Sequence, residues 1–110
     1  MRYLLMLRGG EPVDGRPLDT DISGPCQAWG EEMARRGVRV NGMGLHAPES
    51  ATTVRVRGGK ALFTDGPFAE TKEQIGGINT LECETREQAV EAARSHPWAA
   101  LGTIEVRELL

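Results

Sequence analysis

Cysteine is scarce in this chain. Cys26 and Cys83 are the only two, and they lie too far apart in sequence to form a CxxC or Cys/His ligand pattern. A structural zinc site or a disulfide framework is therefore not expected, and both read as buried free thiols. An excess of charge of one sign is also lacking: 13 Lys plus Arg stand against 16 Asp plus Glu, for a formal charge of −3. With the basic residues scattered, nothing singles out a nucleic acid or an anionic membrane as a partner. The apolar stretch in RYLLMLRGG is too short for the core of a signal peptide and carries no cleavage-type tail, so a cytoplasmic location is expected. P-loop, GxGxxG, HExxH and GxSxG motifs are all missing, which removes nucleotide, Rossmann, zincin and serine-hydrolase readings and implies no organic cofactor.

What is present is a mixed αβ pattern, and 110 residues make one domain spanning residues 1–110. Arg2 to Leu7 reads as a strand apolar on both alternate faces. Residues 9–20, rich in Gly, Asp and Pro, read as a loop. From Asp21 to Arg36, the spacing of Ile22, Cys26, Trp29 and Met33 places them on one helical face. Pro25 fits near the start of that helix, Glu31/Arg35 and Glu32/Arg36 are i,i+4 pairs, and Gly37 ends it. Val38 to Leu45 reads as a Gly-broken strand, Thr52 to Thr64 as a hairpin turning at Gly58-Gly59, and Gly77 to Glu84 as a further strand. Thr85 with Gln88 forms a capping box for a second helix, whose small apolar side is Ala89, Val90, Ala92 and Ala93. Ile104 to Leu109 is the last strand.

This order is that of an α+β ferredoxin-like split βαβ sandwich with an added β-hairpin. Two helices cover one face of such a sheet. The apolar residues on the other face call for a partner, and a second copy of the chain is the simplest one.

The densest polar stretch is TDGPFAETKEQIGG. Gly66-Pro67 forces a turn, and Asp65 reads either as an Asx-type cap of that turn or as a carboxylate base or ligand anchor. Glu70 and Glu73, three apart, share a face from which one of them reaches Asp65 or Arg55; Lys72 belongs to a solvated helical turn. Arg55 is either hairpin surface or a carboxylate-binding cation. His46, at a strand end before Ala47-Pro48, is either a surface residue or a proton-transfer partner for Asp65. His96, in SHPW, reads as a cation at the C-terminus of the second helix, and Trp29 and Trp98 as packing residues.

The segments ATTVRVRGGKALFTDGPFAETKEQIGG and GTIEVREL resemble the YCII-related family marked by the Asp65-Gly66-Pro67-Phe68 motif. The resemblance implies a dimeric α/β barrel of ferredoxin-like subunits. It also implies kinship with small enzymes of the muconolactone-isomerase and YCII type, in which a His and Asp pair acts in a cleft between helix and sheet. This chain departs from the YCII branch where an Asp precedes the corresponding Pro, since His96 stands there. Many relatives are linked to extracytoplasmic-function sigma factors, which implies a regulatory setting.

Two functions follow as expectations. The first is a homodimer with a cleft for a small organic molecule, supporting acid/base lyase, isomerase or hydrolase chemistry through Asp65 and His46, with Arg55, Glu70 and Glu73 as ligand contacts. The alternative is a non-catalytic binding or regulatory module associated with a sigma-factor system.

Overall fold

The computed structural model describes residues 1–9, 22–46, 48–67 and 75–110. In chain order its elements are β1 (Arg2–Arg8), α1 (Ser23–Arg35), β2 (Arg39–Gly44), β3 (Thr52–Arg57), β4 (Lys60–Asp65), β5 (Ile75–Glu82), α2 (Arg86–Ser95) and β6 (Thr103–Glu108), with 3₁₀ turns at Pro48–Ser50 and Pro97–Ala100. An antiparallel four-stranded sheet runs β2-β5-β1-β6, and β3 pairs with β4 as a separate ribbon. With that ribbon set aside, the sheet follows the split βαβ plan. No helix among the described residues is long and apolar enough to cross a membrane.

Each element follows from local chemistry. The expected loop of residues 9–20 lies almost wholly outside the described residues, as does Asp21 of the expected first helix. Pro25 sits in the first turn of α1, where its missing N–H costs nothing, and Gly37 leaves the helix at φ 80°. Of the two ion pairs expected on α1, Glu32/Arg36 forms, whereas Arg35 turns to Glu32 and leaves Glu31. Glu32 takes both Arg35 at 2.6 Å and Arg36 at 3.0 Å, and these bonds hold its carboxyl below the usual range. Glu31 is bonded instead by Gln27 Nε2 at 3.4 Å. At α2, Thr85 Oγ1 accepts from the Gln88 N–H at 3.1 Å, while Gln88 Oε1 accepts from the Glu84 N–H at 2.7 Å. Gln88 thus reaches one residue further back than a reciprocal capping box requires. Val90, expected on the apolar side of α2, is exposed; Ala89, Ala92 and Ala93 are buried.

The core lies on the sheet face that the helices cover. Tyr3 and Leu5 of β1 and Leu81 of β5 meet Trp29 and Met33 of α1 and the alanines of α2. Tyr3 pairs with Leu81 across the β1–β5 ladder, so both point the same way. Burial of each large apolar side chain contributes about 1.5–3 kcal/mol. The tie between layers at the α2 end is polar as well: Trp29 Nε1 donates to the Ala92 carbonyl at 2.9 Å and to Ser95 Oγ at 3.2 Å. Cys26 and Cys83 are free thiols as expected, but only Cys83 is buried; Cys26 is half-buried at the cavity wall.

The β3–β4 hairpin turns through Gly58 and Gly59 at φ 57° and 78°, the type I′ geometry whose twist suits a two-residue connection. At its other end Gly66, at φ 96°, donates its N–H to the Ala51 carbonyl at 2.7 Å, and its own carbonyl accepts from Thr53 Oγ1 at 2.8 Å. The side chain of Asp65 makes no hydrogen bond among the described residues, so backbone and Thr53 hold this turn in place of an Asx cap. Gly66→Val places a β-branched residue at positive φ, and although no neighbour crowds the site the backbone preference alone should cost at least ~1 kcal/mol. Urea unfolding of the variant checks this, and an unchanged midpoint would show that the turn tolerates any residue.

Candidate functional site

A cavity of about 740 Å³ opens between α1 and the sheet, within the size range of small-molecule sites. Alternation along the strands explains it. The ladders put Gly42 opposite Asn79 and Gly44 opposite Gly77, and Gly77 also opposite Leu7 of β1. These positions share the helix-facing side with Tyr3, Leu5 and Leu81. Where Tyr3, Leu5 and Leu81 fill the space under the helices, glycines at 42, 44 and 77 leave the sheet bare. On the facing helix, Gly30 and Ala34 are equally small. A gap remains because neither layer carries a side chain long enough to close it.

Its walls are apolar, with Ile22, Leu7, Val40, Trp29 and Trp98 among them. Neither indole offers its N–H to a ligand. Trp29 Nε1 is bonded to α2, and Trp98 Nε1 donates to the Arg8 carbonyl at 3.2 Å. That last contact requires Gly102, because a Cβ there would lie 2.6 Å from Trp98 Nε1 and 2.7 Å from the Arg8 oxygen.

His96 is the buried polar group of the lining, only 4% exposed. Its ring packs edge-on against Trp29 with centroids 4.5 Å apart. Its Nδ1 accepts the Trp98 backbone N–H at 2.9 Å and so caps the 3₁₀ turn. A ring nitrogen that accepts carries no proton, and in the neutral imidazole the proton must then sit on Nε2. Burial pushes the pKa down to about 4, so the ring is neutral near pH 7. Its Nε2–H has no hydrogen-bond partner among the described residues. The sequence expectation of a helix-terminal cation is therefore corrected: His96 is a neutral donor, because desolvation outweighs the favourable end of the α2 dipole.

Asn79 is the second polar side chain. Its Nδ2 lies over Gly42, where a Cβ would collide with it, and its Oδ1 is sealed from solvent without a partner among the described residues. Burial raises the pKa of the Cys26 thiol, which disfavours a nucleophilic thiolate. Glu31, bonded to Gln27, also borders the cavity, and no Lys or Arg does among the described residues. Those residues hold no group of three or more potential metal ligands either.

The residues singled out from sequence lie elsewhere. Asp65 ends β4 and is exposed; His46 follows β2 and is exposed; neither lines the cavity, nor does Arg55. The side chains of Asp65 and His46 form no hydrogen bond with one another. Asp65 pairs with Thr52 and Arg55 with Leu62 across the β3–β4 ladder. This register puts Asp65 on the ribbon face of Val54 and Phe63, and Arg55 on the opposite face. Glu70 and Glu73 lie outside the described residues, together with Phe68 and Lys72. A cleft was expected from the sequence; what was missed is the part of this chain that forms it and its lining of Asn79, His96 and glycines. The available signal was the alternation Gly42-x-Gly44, which empties one strand face.

Comparison with known proteins places these observations. The family model of the YCII-related domain matches residues 1–110. The chain is similar, at 40% identity over 62 residues, to an uncharacterized protein of Rhizobium meliloti (strain 1021); the match covers 54% of this chain and 50% of that relative.

The buried imidazole makes stability depend on pH. With a folded pKa of about 4 against an ordinary 6.5, the unfolded chain binds a proton in that interval that the folded chain refuses. Stability should therefore be full above pH 6.5 and fall as pH drops towards 4, by about 2–3 kcal/mol between pH 7 and 4.5. His96→Asn keeps an acceptor for the Trp98 N–H and removes the titrating ring. Denaturant melts at the two pH values should show the wild type losing that much more than the variant. An equal loss in both would mean that the ring is charged in the folded state.

Proposed function

The chain belongs to the YCII-related domain family, and from that premise we propose that it is a cytoplasmic homodimer that binds a small organic molecule in the cavity between α1 and the sheet. The observation that carries the proposal is the cavity itself, walled by two aromatic residues whose polar ends are already bonded and floored by glycines. Such a site offers apolar area with a few fixed polar groups, the usual composition of a ligand pocket. Binding is favoured over acid/base turnover at this site because His96 holds its one proton on Nε2 and its other nitrogen is occupied. The ring donates; it does not abstract.

Dimerisation has separate support. The helices cover one sheet face, while Leu4, Met6 and Ile78 alternate onto the other. The hairpin exposes Val54, Val56 and Phe63 on one side, and a two-stranded ribbon is marginal in water without cover. The radius of gyration is 15.9 Å, against about 13 Å for a compact chain of this length. These features suit a flat subunit that gains its second layer from a partner.

The lyase, isomerase or hydrolase reading through Asp65 and His46 is the second proposal. It is favoured by the exposure of both groups at strand ends, where reacting groups often converge. The sigma-factor link rests on the resemblance of the DGPF segment alone.

A thermal-shift screen of small neutral and acidic organic compounds tests the cavity. Hits should raise the melting temperature of the wild type and lose that effect in Gly30→Leu and Gly44→Leu, positions where an added Cβ meets nothing within 4 Å. Hits that stabilise both variants as well as the wild type would move the binding site elsewhere. Sedimentation equilibrium at micromolar concentration should return twice the chain mass of 12.0 kDa; a monomer would remove the dimer.

A further inference from the structure

Hydrogen-bond accounting around the cavity narrows the ligand. Gln27 Nε2 is bonded to Glu31, Trp29 Nε1 to α2 and Trp98 Nε1 to the Arg8 carbonyl. Two side-chain donors are left without an acceptor among the described residues, His96 Nε2–H and Asn79 Nδ2–H₂, and both residues line the same cavity. One acceptor is also left over, Asn79 Oδ1, but it is sealed from solvent and so out of a ligand's reach; what faces the apolar enclosure is donors, with no cationic side chain among the described residues. Donors in such a place pair with an oxygen acceptor, and a neutral acceptor avoids the cost of desolvating an anion with no counter-charge. The N-terminus of α1 has no side-chain cap and is a positive end near the rim, so a carboxylate is the competitor that must be measured.

We infer that the ligand is a neutral carbonyl compound, a ketone, lactone or ester, whose oxygen accepts from His96 Nε2–H with Asn79 Nδ2 as second donor, and whose hydrocarbon part lies against Trp29 and Trp98. The inference rests on the cavity-binding reading and deepens it. His96 is held in one ring orientation. Its Nδ1 is held by the Trp98 N–H and its ring by the edge contact with Trp29, so the Nε2–H direction is fixed before a ligand arrives.

Three matched probes test it on the full chain at pH 7: 1-tetralone, tetralin and 1-naphthoate. They are similar in size and differ in carrying a neutral carbonyl, no polar atom, or an anionic carboxylate. Both tryptophans of the chain line the cavity, so indole fluorescence reports occupancy, with the thermal shift as a second readout. Tetralone should bind roughly tenfold tighter than tetralin, the effect of one net hydrogen bond, and tighter than naphthoate. His96→Asn reshapes the cavity wall for every probe, so the readout is the ratio of affinities: the roughly tenfold preference for tetralone over tetralin should fall to about one. Should His96→Asn fail to fold, the ¹⁵N shift of His96 Nε2 in the wild type serves instead, moving with tetralone and not with tetralin.

Equal binding of tetralone and tetralin, tightest binding of naphthoate, an undiminished tetralone preference in the variant, or no tetralone binding overturns the inference. Loss of all probe binding in Gly30→Leu without any ketone preference would keep the cavity reading and remove only the carbonyl assignment. Probe binding that survives Gly30→Leu would remove the cavity reading itself.

Discussion

The architecture depends on a short relay of polar contacts made by two indoles and one imidazole. Trp29 fastens α1 to the last turn of α2 through the Ala92 carbonyl and Ser95. His96, packed on Trp29, bonds the backbone of Trp98, and Trp98 fastens the 3₁₀ turn to β1 through the Arg8 carbonyl. Each bond satisfies a polar group that the core would otherwise strand, at a cost of roughly 1–3 kcal/mol apiece if left unmade. The relay holds two indoles and an imidazole at the edge of an open space.

Glycine has two different roles around that space, and sterics separate them. Gly42 and Gly102 are required by the fold, since a Cβ would run into Asn79 in one case and into Trp98 and the Arg8 carbonyl in the other. Gly30 and Gly44 meet nothing within 4 Å. No packing demand keeps them small. Gly30 sits in the interior of α1, where glycine costs about 1 kcal/mol relative to alanine. A residue that weakens its helix and is not imposed by a neighbour is accounted for by the volume it leaves open.

The order of elements was legible because periodicity and punctuation are local. The 3.6 spacing of Trp29 and Met33, the Gly58-Gly59 turn and the Thr85 cap all act within a few residues and appear in the structure. The site was not legible, because its members come from β1, α1, β2, β5 and the turn after α2 and meet only through strand register. His96 shows the failure in one residue. Its position after a helix predicts a charged cap, whereas its surroundings, a tryptophan edge and a backbone N–H, are long-range and keep it neutral. Chemistry was expected of the DGPF segment because polar residues concentrate there. Asp65 and Arg55 nonetheless fall on opposite faces of the ribbon, a consequence of two-residue alternation that the pairing register fixes.

The proton on His96 also marks the boundary between the two functional readings. A general base needs an unengaged nitrogen lone pair facing its substrate and a pKa near the working pH. His96 has the lone pair turned inward to Trp98 and a pKa near 4. The two conditions fail for two reasons at one residue: burial lowers the pKa, and the local cap of the 3₁₀ turn occupies Nδ1. The same arrangement suits an electrophilic donor, which must stay protonated on Nε2 and must not take up a second proton as a ligand oxygen approaches. Turnover within this cavity would thus need its base from outside the imidazole, and of the other ionisable groups among the described lining residues one is a thiol with a raised pKa and the other, Glu31, accepts from Gln27. Catalysis by Asp65 and His46 would take place on a different surface from the one that encloses a ligand, so recognition in the cavity and reaction at the strand ends are separable functions of this fold.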